Sequence, residues 1–496
     1  MKVMSPENHL NYGKSQGDTA VKKTIAIVGA GATGIAAFIA LTKNMRDVDI
    51  NLIDPIEPGT GKAFNQEHDE LLCNTSPDTM SLHPDNSNDF IDYIQTRGIP
   101  YTQGYFPPRY IYRDYVIERY NECLLEARKK NIDVNYWRGV VERIKSLGEH
   151  HYEIIISSGD IVKVSGVIIA TGGGDELVPE ILKPYQKHPD FYSTPYDVIN
   201  DDSIRKGSNV LVIGTKLSAI DTAVLIGRKQ CKITMLSPSG ILPSVRTATP
   251  LPSERLVSVS DFCRLELESP NLPQQLCELI ASKFALQGLL PLKEQISHQR
   301  LIAPRLMEEI ILAEENKNHW QNMIVELVDA TNDVLTPKSG QLKKHVISIC
   351  KEILDRYLGS FSLTNARKIF LLLQTGLLNV CKGEIEKINY NNGWNIQLKT
   401  GESMLFDNIV CAAGYRGPNL RLSGCDITLD DTPRPNCESL NIGDELSIFL
   451  PNNDKEENIW VVGAACAGKV PLVNAMYSSV KHAYFVAEKI AGKIPL

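Results

Sequence analysis

Apolar positions along this chain follow two different patterns. The run Thr24-Ile-Ala-Ile-Val28 is continuously apolar and β-branched, as expected of a strand buried on both faces of a parallel sheet. It stops at Gly29. From Thr33 to Asn44 a helical period of Ala, Ile and Leu follows, and Asp49 to Ile53 is again strand-like. Together these segments predict a βαβ unit of about 30 residues. The same order returns at Asn209-Val-Leu-Val-Ile213, which stops at Gly214. A helix from Leu217 to Gly227 and a strand from Cys231 to Leu236 complete it. Tyr152 to Ile156 and Ile161 to Ala170 read as strands between the two units. From about 245 to 375 the period becomes helical, with helices expected over Pro273 to Gln287, Gln299 to Glu315, Lys343 to Leu358 and Leu363 to Thr375. Strands resume at Gly383 to Tyr390, Trp394 to Lys399 and Met404 to Cys411. The chain closes with a strand from Ile459 to Val462, Gly463 and a helix from Val473 to Lys489. The pattern predicts an α/β fold with two Rossmann-like units and a helical insertion.

Composition narrows the function. The 496 residues are 43% apolar and 22% charged, which allows a large core without disulfide or metal support. With 52 basic against 59 acidic residues, net −7, a basic groove is excluded and no nucleic-acid partner is expected. No apolar run is long enough for a membrane span, and the polar stretch 1–22 lacks the apolar region of a signal peptide. It is expected to be a solvated tail of a cytoplasmic protein. The 11 cysteines are scattered and form no C-x-x-C, so reduced buried thiols are expected and a dithiol redox centre is set aside. Histidines and cysteines show no metal-ligand spacing, and no G-x-S-x-G elbow occurs.

The chemistry-bearing motif is Gly29-Ala-Gly31-Ala-Thr33-Gly34, between a strand and a helix, with Asp54 ending the next strand. Gly29 makes the tight turn, Gly31 lets backbone approach a diphosphate, and Gly34 allows the helix to pack closely. The helix N-terminus adds positive potential, and Asp54 can accept from ribose hydroxyls. The second motif, Gly214-Thr215-Lys216-Leu-Ser218-Ala219-Ile-Asp221, departs from this form at Lys216. Its side chain either blocks a diphosphate or pairs with it. The strand after it ends without an acidic residue. Ser237 or Arg246 could serve a 2′-phosphate, which favours NADPH over NADH.

On these motifs the chain resembles the flavoproteins with two dinucleotide-binding domains. It is similar to the bacterial FAD/NAD(P)-binding proteins, distant relatives of the flavin-dependent N-hydroxylating and Baeyer–Villiger monooxygenases. Further strings carry the resemblance: Gly61-Lys-Ala63-Phe64 with Leu71-Leu-Cys-Asn74, Phe106-Pro-Pro-Arg109, Ile168-Ile-Ala-Thr171-Gly172, Ile409-Val-Cys-Ala-Ala413-Gly414 and Ile459-Trp-Val-Val-Gly463. The resemblance implies FAD held by Gly29, Gly31, Thr33, Gly34, Asp54, Asn74, Arg109, Val141 (beside Val140), Thr171, Gly172, Gly463 and Asn474. It implies a possible NAD(P)H site at Gly214, Thr215, Lys216 and Ser218. Two departures and one decoy matter. The F-x-G-x-x-x-H-x-x-x-W string of the hydroxylating branch is absent, and His188 is expected to be an ordinary loop residue. Gly463 is followed by Ala464 where relatives carry Asp. Val470 removes the hydroxyl that Gly463-x4-Gly468-Lys469 would need as a phosphate loop.

The expected organisation is a tail (1–22), an FAD-binding domain in two parts (23–205 and 406–496), an inserted NAD(P)-type domain (206–244 and 376–405) and a helical insertion (245–375). The insertion would form a substrate cap or a surface for a protein partner. Met80, His83, Arg246 and Cys466 are the substrate-side candidates, with a small core thiol the default reading of Cys466. The expected function is an FAD-dependent oxidoreductase, an NAD(P)H-using flavin monooxygenase acting with O2 on a small amine or carbonyl metabolite. The alternatives are an FAD-dependent oxidase or dehydrogenase without a working nicotinamide site, and a flavin-binding maturation or partner protein.

Overall fold

A computed structural model describes residues 22–493 except 103, 200–203, 249, 253–254, 419, 430–437, 452–454 and 474. Of the expected tail, 1–21 lie outside the described residues. Lys22 is ordered by Asp49 and Asp133, at 2.8 and 2.5 Å.

The largest sheet runs, from edge to edge, Asn441–Ile442, Ser447–Phe449, Glu456–Val461, Gly166–Ile169, Lys23–Val28, Val48–Asp54 and Asp133–Arg138. The five strands from Glu456–Val461 onward are parallel, with Ile25 opposite Ile50 and Ile27 opposite Ile168. Residues 25–28 and 166–169 are all buried, as a doubly covered parallel strand requires. The helix Ala32–Asn44 and the closing helix Met476–Lys493 pack together on this sheet.

The second sheet is entirely parallel: Leu378–Lys382, Lys232–Ser237, Asn209–Ile213, Asn408–Cys411 and Phe191–Tyr192. It repeats the plan of the first. In the first unit, strand Asp133–Arg138 is followed by an antiparallel meander (Val141–Gly148, His151–Ile156, Ile161–Val164) and a return to the sheet at Gly166–Ile169. In the second, Leu378–Lys382 is followed by Ile385–Tyr390, Trp394–Leu398 and Ser403–Phe406, then by the return at Asn408–Cys411.

Four sequence expectations change. Ile161 to Ala170 is two strands in two sheets, divided at Ser165. Met404 to Cys411 is likewise divided at Asp407. In each pair the second strand is buried throughout and follows the first after a single residue, so no turn signal marks the chain leaving one sheet for another. Strand Leu378–Lys382 was not expected. Asn408–Cys411 and Phe191–Tyr192 stand in the second sheet, across the boundaries drawn at 405 and 205.

The insertion carries helices Leu272–Leu286, Ile302–Glu314, Ile324–Leu335, Gly340–Ile349 and Leu363–Gln374. Ile324–Leu335 was not foreseen. The helix expected over Lys343 to Leu358 stops at Ile349 and continues as one turn, Lys351–Ile353, and a wide turn, Leu354–Leu358. Two short parallel strands, Val245–Arg246 and Phe361–Ser362, tie its ends together. Helix Leu363–Gln374 packs on both Ile302–Glu314 and Leu217–Gly227, which fixes the insertion to the second unit.

Candidate functional site

The first glycine turn is built by close backbone approach. Gly29 has φ +96°, and a Cβ there would lie 2.6 Å from the Ala170 carbonyl oxygen. A Cβ on Gly34 would lie 1.9 Å from the Gly29 carbonyl oxygen, so the helix sits directly on the turn. Gly31 differs. Its nearest neighbour is the Gly61 Cα, 3.3 Å from where its Cβ would be. The loop around Gly61 is laid across the turn, and Gly59 N–H donates to the Ala30 carbonyl at 2.8 Å. The helix Ala32–Asn44 has no acidic residue in its first turn, so its leading N–H groups, which lack intrahelical partners, present unopposed positive potential. Beside them Gly172 has no atom within 4 Å of a Cβ position. This open, side-chain-free, positive cradle fits a dinucleotide diphosphate.

Asp54 is placed to bind and also to build. Its Oδ2 accepts from Ala30 N–H at 2.7 Å and its Oδ1 from Ile56 N–H at 3.0 Å. A carboxylate has about four acceptor positions, so capacity for ribose hydroxyls remains. Burial raises its pKa above the ordinary carboxylate value, against the pull of the two N–H groups. The Asp54 carbonyl accepts from Gly139 N–H at 3.1 Å. That bond brings half-exposed Val140 and buried Val141 to the end of this strand. The C-terminal turn meets the same place, for a Cβ on Gly463 (φ +62°) would lie 2.8 Å from Thr33 Cγ2. Asn474 lies outside the described residues.

Asn74, half-buried, is presented by a segment held from behind. Cys73 N–H donates to Pro107, and Arg109 reaches Leu71 and Leu72 through its N–H and Nε. The rest of the Arg109 guanidinium is taken up by two other side chains. Nη1 donates to Tyr196 Oη and Nη2 to Asp221 Oδ2, both at 2.6 Å. The Arg109 and Asp221 side chains are 9% and 2% exposed. Burial opposes the Arg109 charge, yet Asp221 outweighs it and holds its pKa above the ordinary value. The structure therefore places Arg109 as a strut between the two units, where the sequence reading put it against FAD. A clue lay in the sequence: Asp221 is a charge inside the apolar helix Leu217–Gly227, and a buried charge demands a partner.

The second turn repeats the first. Gly214 has φ +123°, and a Cβ there would lie 2.3 Å from the Ala412 carbonyl oxygen. Its surroundings differ. Thr215 is buried, and its Oγ1 bonds Ser237 Oγ and the Ile241 carbonyl, each at 2.9 Å. Lys216 caps the helix Leu217–Gly227 and its Nζ lies 3.2 Å from Asp355 Oδ2 in the insertion. Ser218 is half-buried in the first turn of that helix. Arg246 lies in the short strand that opens the insertion. It is 4% exposed and bonds Ser360 Oγ and the Leu358 carbonyl, so it braces the insertion rather than awaiting a phosphate.

The substrate-side expectations also move. Met80 is a core residue, 2% exposed. His83 lies 3.9 Å from Asp89, whose carboxylate is already held by Tyr115 and Arg119. Cys466 is fully buried. Its Sγ donates to the Gly463 carbonyl at 2.9 Å and lies 3.5 Å from His482 Nδ1. Burial pushes the thiol up to about 12, which makes it an inert core thiol. His188 packs against Tyr390 and Trp394, with ring centroids at 4.1 and 4.8 Å.

Contacts with no sequence signal link the insertion to the terminal turn. Asn332 Nδ2 donates to the Leu472 carbonyl at 2.8 Å, and Leu472 N–H donates back to Oδ1 at 2.9 Å. Lys343 Nζ donates to the Lys469 carbonyl at 2.7 Å, and Lys481 pairs with Asp329 at 2.6 Å. Tyr477 shares an apolar cluster with Phe284 and Trp320 of the insertion. Among the described residues no group of histidines, cysteines and carboxylates could hold a metal, and no helix is long and apolar enough to cross a membrane.

Comparison with known proteins agrees with this geometry. Residues 26–174 match the FAD-NAD(P)-binding family. An uncharacterized protein, YdhS, of Escherichia coli (strain K12) is 19% identical over 461 residues, 79% of this chain and 83% of that protein. Among solved structures, ornithine hydroxylase (PvdA) from Pseudomonas aeruginosa and L-lysine 6-monooxygenase from Pseudomonas syringae each superpose with a TM-score of 0.56 at 12% identity. Each covers 96% of this chain and 100% of the other. The chain has the α/β fold of these monooxygenases, with an FAD-NAD(P)-binding domain over residues 26–174.

Proposed function

We propose that this chain is an FAD-dependent oxidoreductase that takes electrons from NADPH or NADH and, with O2, oxygenates a small amine or carbonyl metabolite. The observation that carries this reading is the duplicated cradle, Gly29 against Ala170 and Gly214 against Ala412, two dinucleotide turns in one chain. FAD, when bound, supplies the electron transfer and the oxygen chemistry. The protein's own part is positioning. The N–H groups that follow Ala30 would hold the diphosphate, and Asp54 would accept from ribose. The Asn74 segment and the Gly463 turn would complete the FAD site. The insertion, bonded to the terminal turn through Asn332 and Lys343, excludes water and shapes the substrate pocket. Fold-level likeness to an ornithine hydroxylase and a lysine monooxygenase supports an amine as substrate. The division at 205, 244, 375 and 405 is proposed as the domain organisation, with the strands noted above crossing it, and the cytoplasm as the compartment.

One observation favours a second reading, an FAD-dependent oxidase or dehydrogenase without nicotinamide. Thr215 is covered by Ile241 and Lys216 is engaged by Asp355, so the second turn is less open than the first. A single preparation separates the two. The purified chain should carry, or take up, a visible flavin band. Anaerobic mixing with NADPH or NADH should bleach it, and air should restore it. Colourless protein that takes up no FAD sinks both readings. Flavin that stays oxidised under excess nicotinamide removes the first and leaves the second.

A further inference from the structure

We propose that Asp355 is a built-in competitor for the nicotinamide cofactor: its carboxylate occupies Lys216 at the second glycine turn and must release it before a diphosphate can bind there. The inference rests on the nicotinamide reading above.

Lys216 stands where the first turn has Gly31, at the residue capping the helix. A cation at a helix N-terminus is disfavoured by the helix's own positive end. Helix Leu217–Gly227 has no acidic residue in its first turn to offset it. The counter-charge comes from another part of the chain, Asp355 Oδ2, at 3.2 Å. Burial lowers the Lys216 pKa and Asp355 opposes that fall, while Lys351 and Arg305 on the facing elements reinforce it. Lys351 Nζ binds the same Asp355 oxygen at 2.6 Å. Two lysines therefore converge on one carboxylate, a charge pattern that suits an anion with more than one negative charge.

The attachment of Asp355 is what makes it displaceable. Its backbone belongs to the wide turn Leu354–Leu358 that follows the helix break. The next residue fixes that turn. Arg356 Nη2 donates to Glu309 Oε1 at 2.8 Å and to the Ser297 carbonyl at 3.0 Å, and Arg356 Nε donates to Ser244 Oγ at 3.2 Å. Glu309 and Ser244 are buried. The Asp355 side chain, by contrast, is 32% exposed and binds flexible ammonium groups. It can swing into water while the anchored turn stays in place.

The test is calorimetric titration of the flavin-saturated full-length chain with NADP+, in which the FAD site is already filled. Asp355→Asn should tighten NADP+ binding about fivefold, the size expected for freeing a half-exposed ion pair. Asp355→Ser should do the same. Adding Lys216→Met to either variant should abolish the gain, and raising the salt should shrink it. Equal or weaker binding by both Asp355 variants, with flavin content unchanged, overturns the competitor and leaves the cofactor reading intact. Absence of binding of both NADP+ and NAD+ in the wild type and in both variants overturns the cofactor reading and the competitor with it.

Discussion

Gly31 and Gly34 lie one turn apart in the same cradle, yet their substitution should have different consequences. A Cβ on Gly34 would meet the Gly29 carbonyl oxygen at 1.9 Å, backbone against backbone, with nothing flexible to yield. Gly34→Ala should cost about 3 kcal/mol or more, read as a lower melting temperature. A Cβ on Gly31 meets only the Gly61 Cα at 3.3 Å, which a small loop shift accommodates. Gly31→Ala should cost about 1 kcal/mol of stability or less, while FAD affinity falls about tenfold or more, measured by fluorescence titration. Equal losses in both properties for the two variants would refute the division of labour. A pH prediction belongs to half-buried His482. Burial chiefly, with Lys481 beside it, lowers its pKa from 6.5 to about 4. In the unfolded chain it takes a proton from about pH 6.5, but in the folded chain only near 4. Between those values the unfolded state holds more protons, so stability falls as pH falls, by about 2–3 kcal/mol from this group. Urea unfolding at pH 7 and pH 4.5 should show His482→Asn losing less than the wild type.

At the scale of elements, the insertion is joined to the terminal turn by a reciprocal pair of hydrogen bonds from one amide. Asn332→Ala removes both and leaves the Leu472 N–H and carbonyl without them, at about 1–3 kcal/mol. Its signature is local. Amide exchange across 469–473 should rise and flavin should dissociate faster, while exchange in strand Lys23–Val28 stays slow. Uniform acceleration would show that the insertion is not anchored there. The elements that sequence misplaced share a cause. Helix Ile324–Leu335 carries Glu326, Asp329, Asn332 and Asp333, and what holds it is mostly tertiary: buried Glu326 accepts from Leu256 and Val257 N–H. The stretch Met307 to Lys317 is rich in charged residues, yet Glu309 is 6% exposed because Arg356 and Ser244 meet it. Local composition cannot announce partners that arrive from 50 residues away.

For the whole molecule, Arg109 and Asp221 form the buried charged contact between the two nucleotide units. Removing one partner leaves the other charge buried and unpaired. Asp221→Ala should cost about 3–5 kcal/mol, whereas Arg109→Met with Asp221→Leu should recover most of it. Calorimetry should show one transition for the wild type splitting into two for Asp221→Ala as the units uncouple. A single, merely lower transition would mean that they unfold together through other contacts.

Sequence alone determined the two strand–glycine–helix units, because a continuous apolar run, a glycine and a helical period are local features with one structural solution. It therefore also determined the cradle at Gly29 to Gly34, the place of Asp54 and the helical character of most of the insertion. Only the tertiary structure decided what the polar side chains do. Arg109 pairs with Asp221, Arg246 braces the insertion, Cys466 is sealed against His482, and Lys216 meets Asp355 across 139 residues of sequence. Each is a charge or polar group whose energy depends on what lies within about 4 Å of it, and that neighbourhood exists only once the chain has folded.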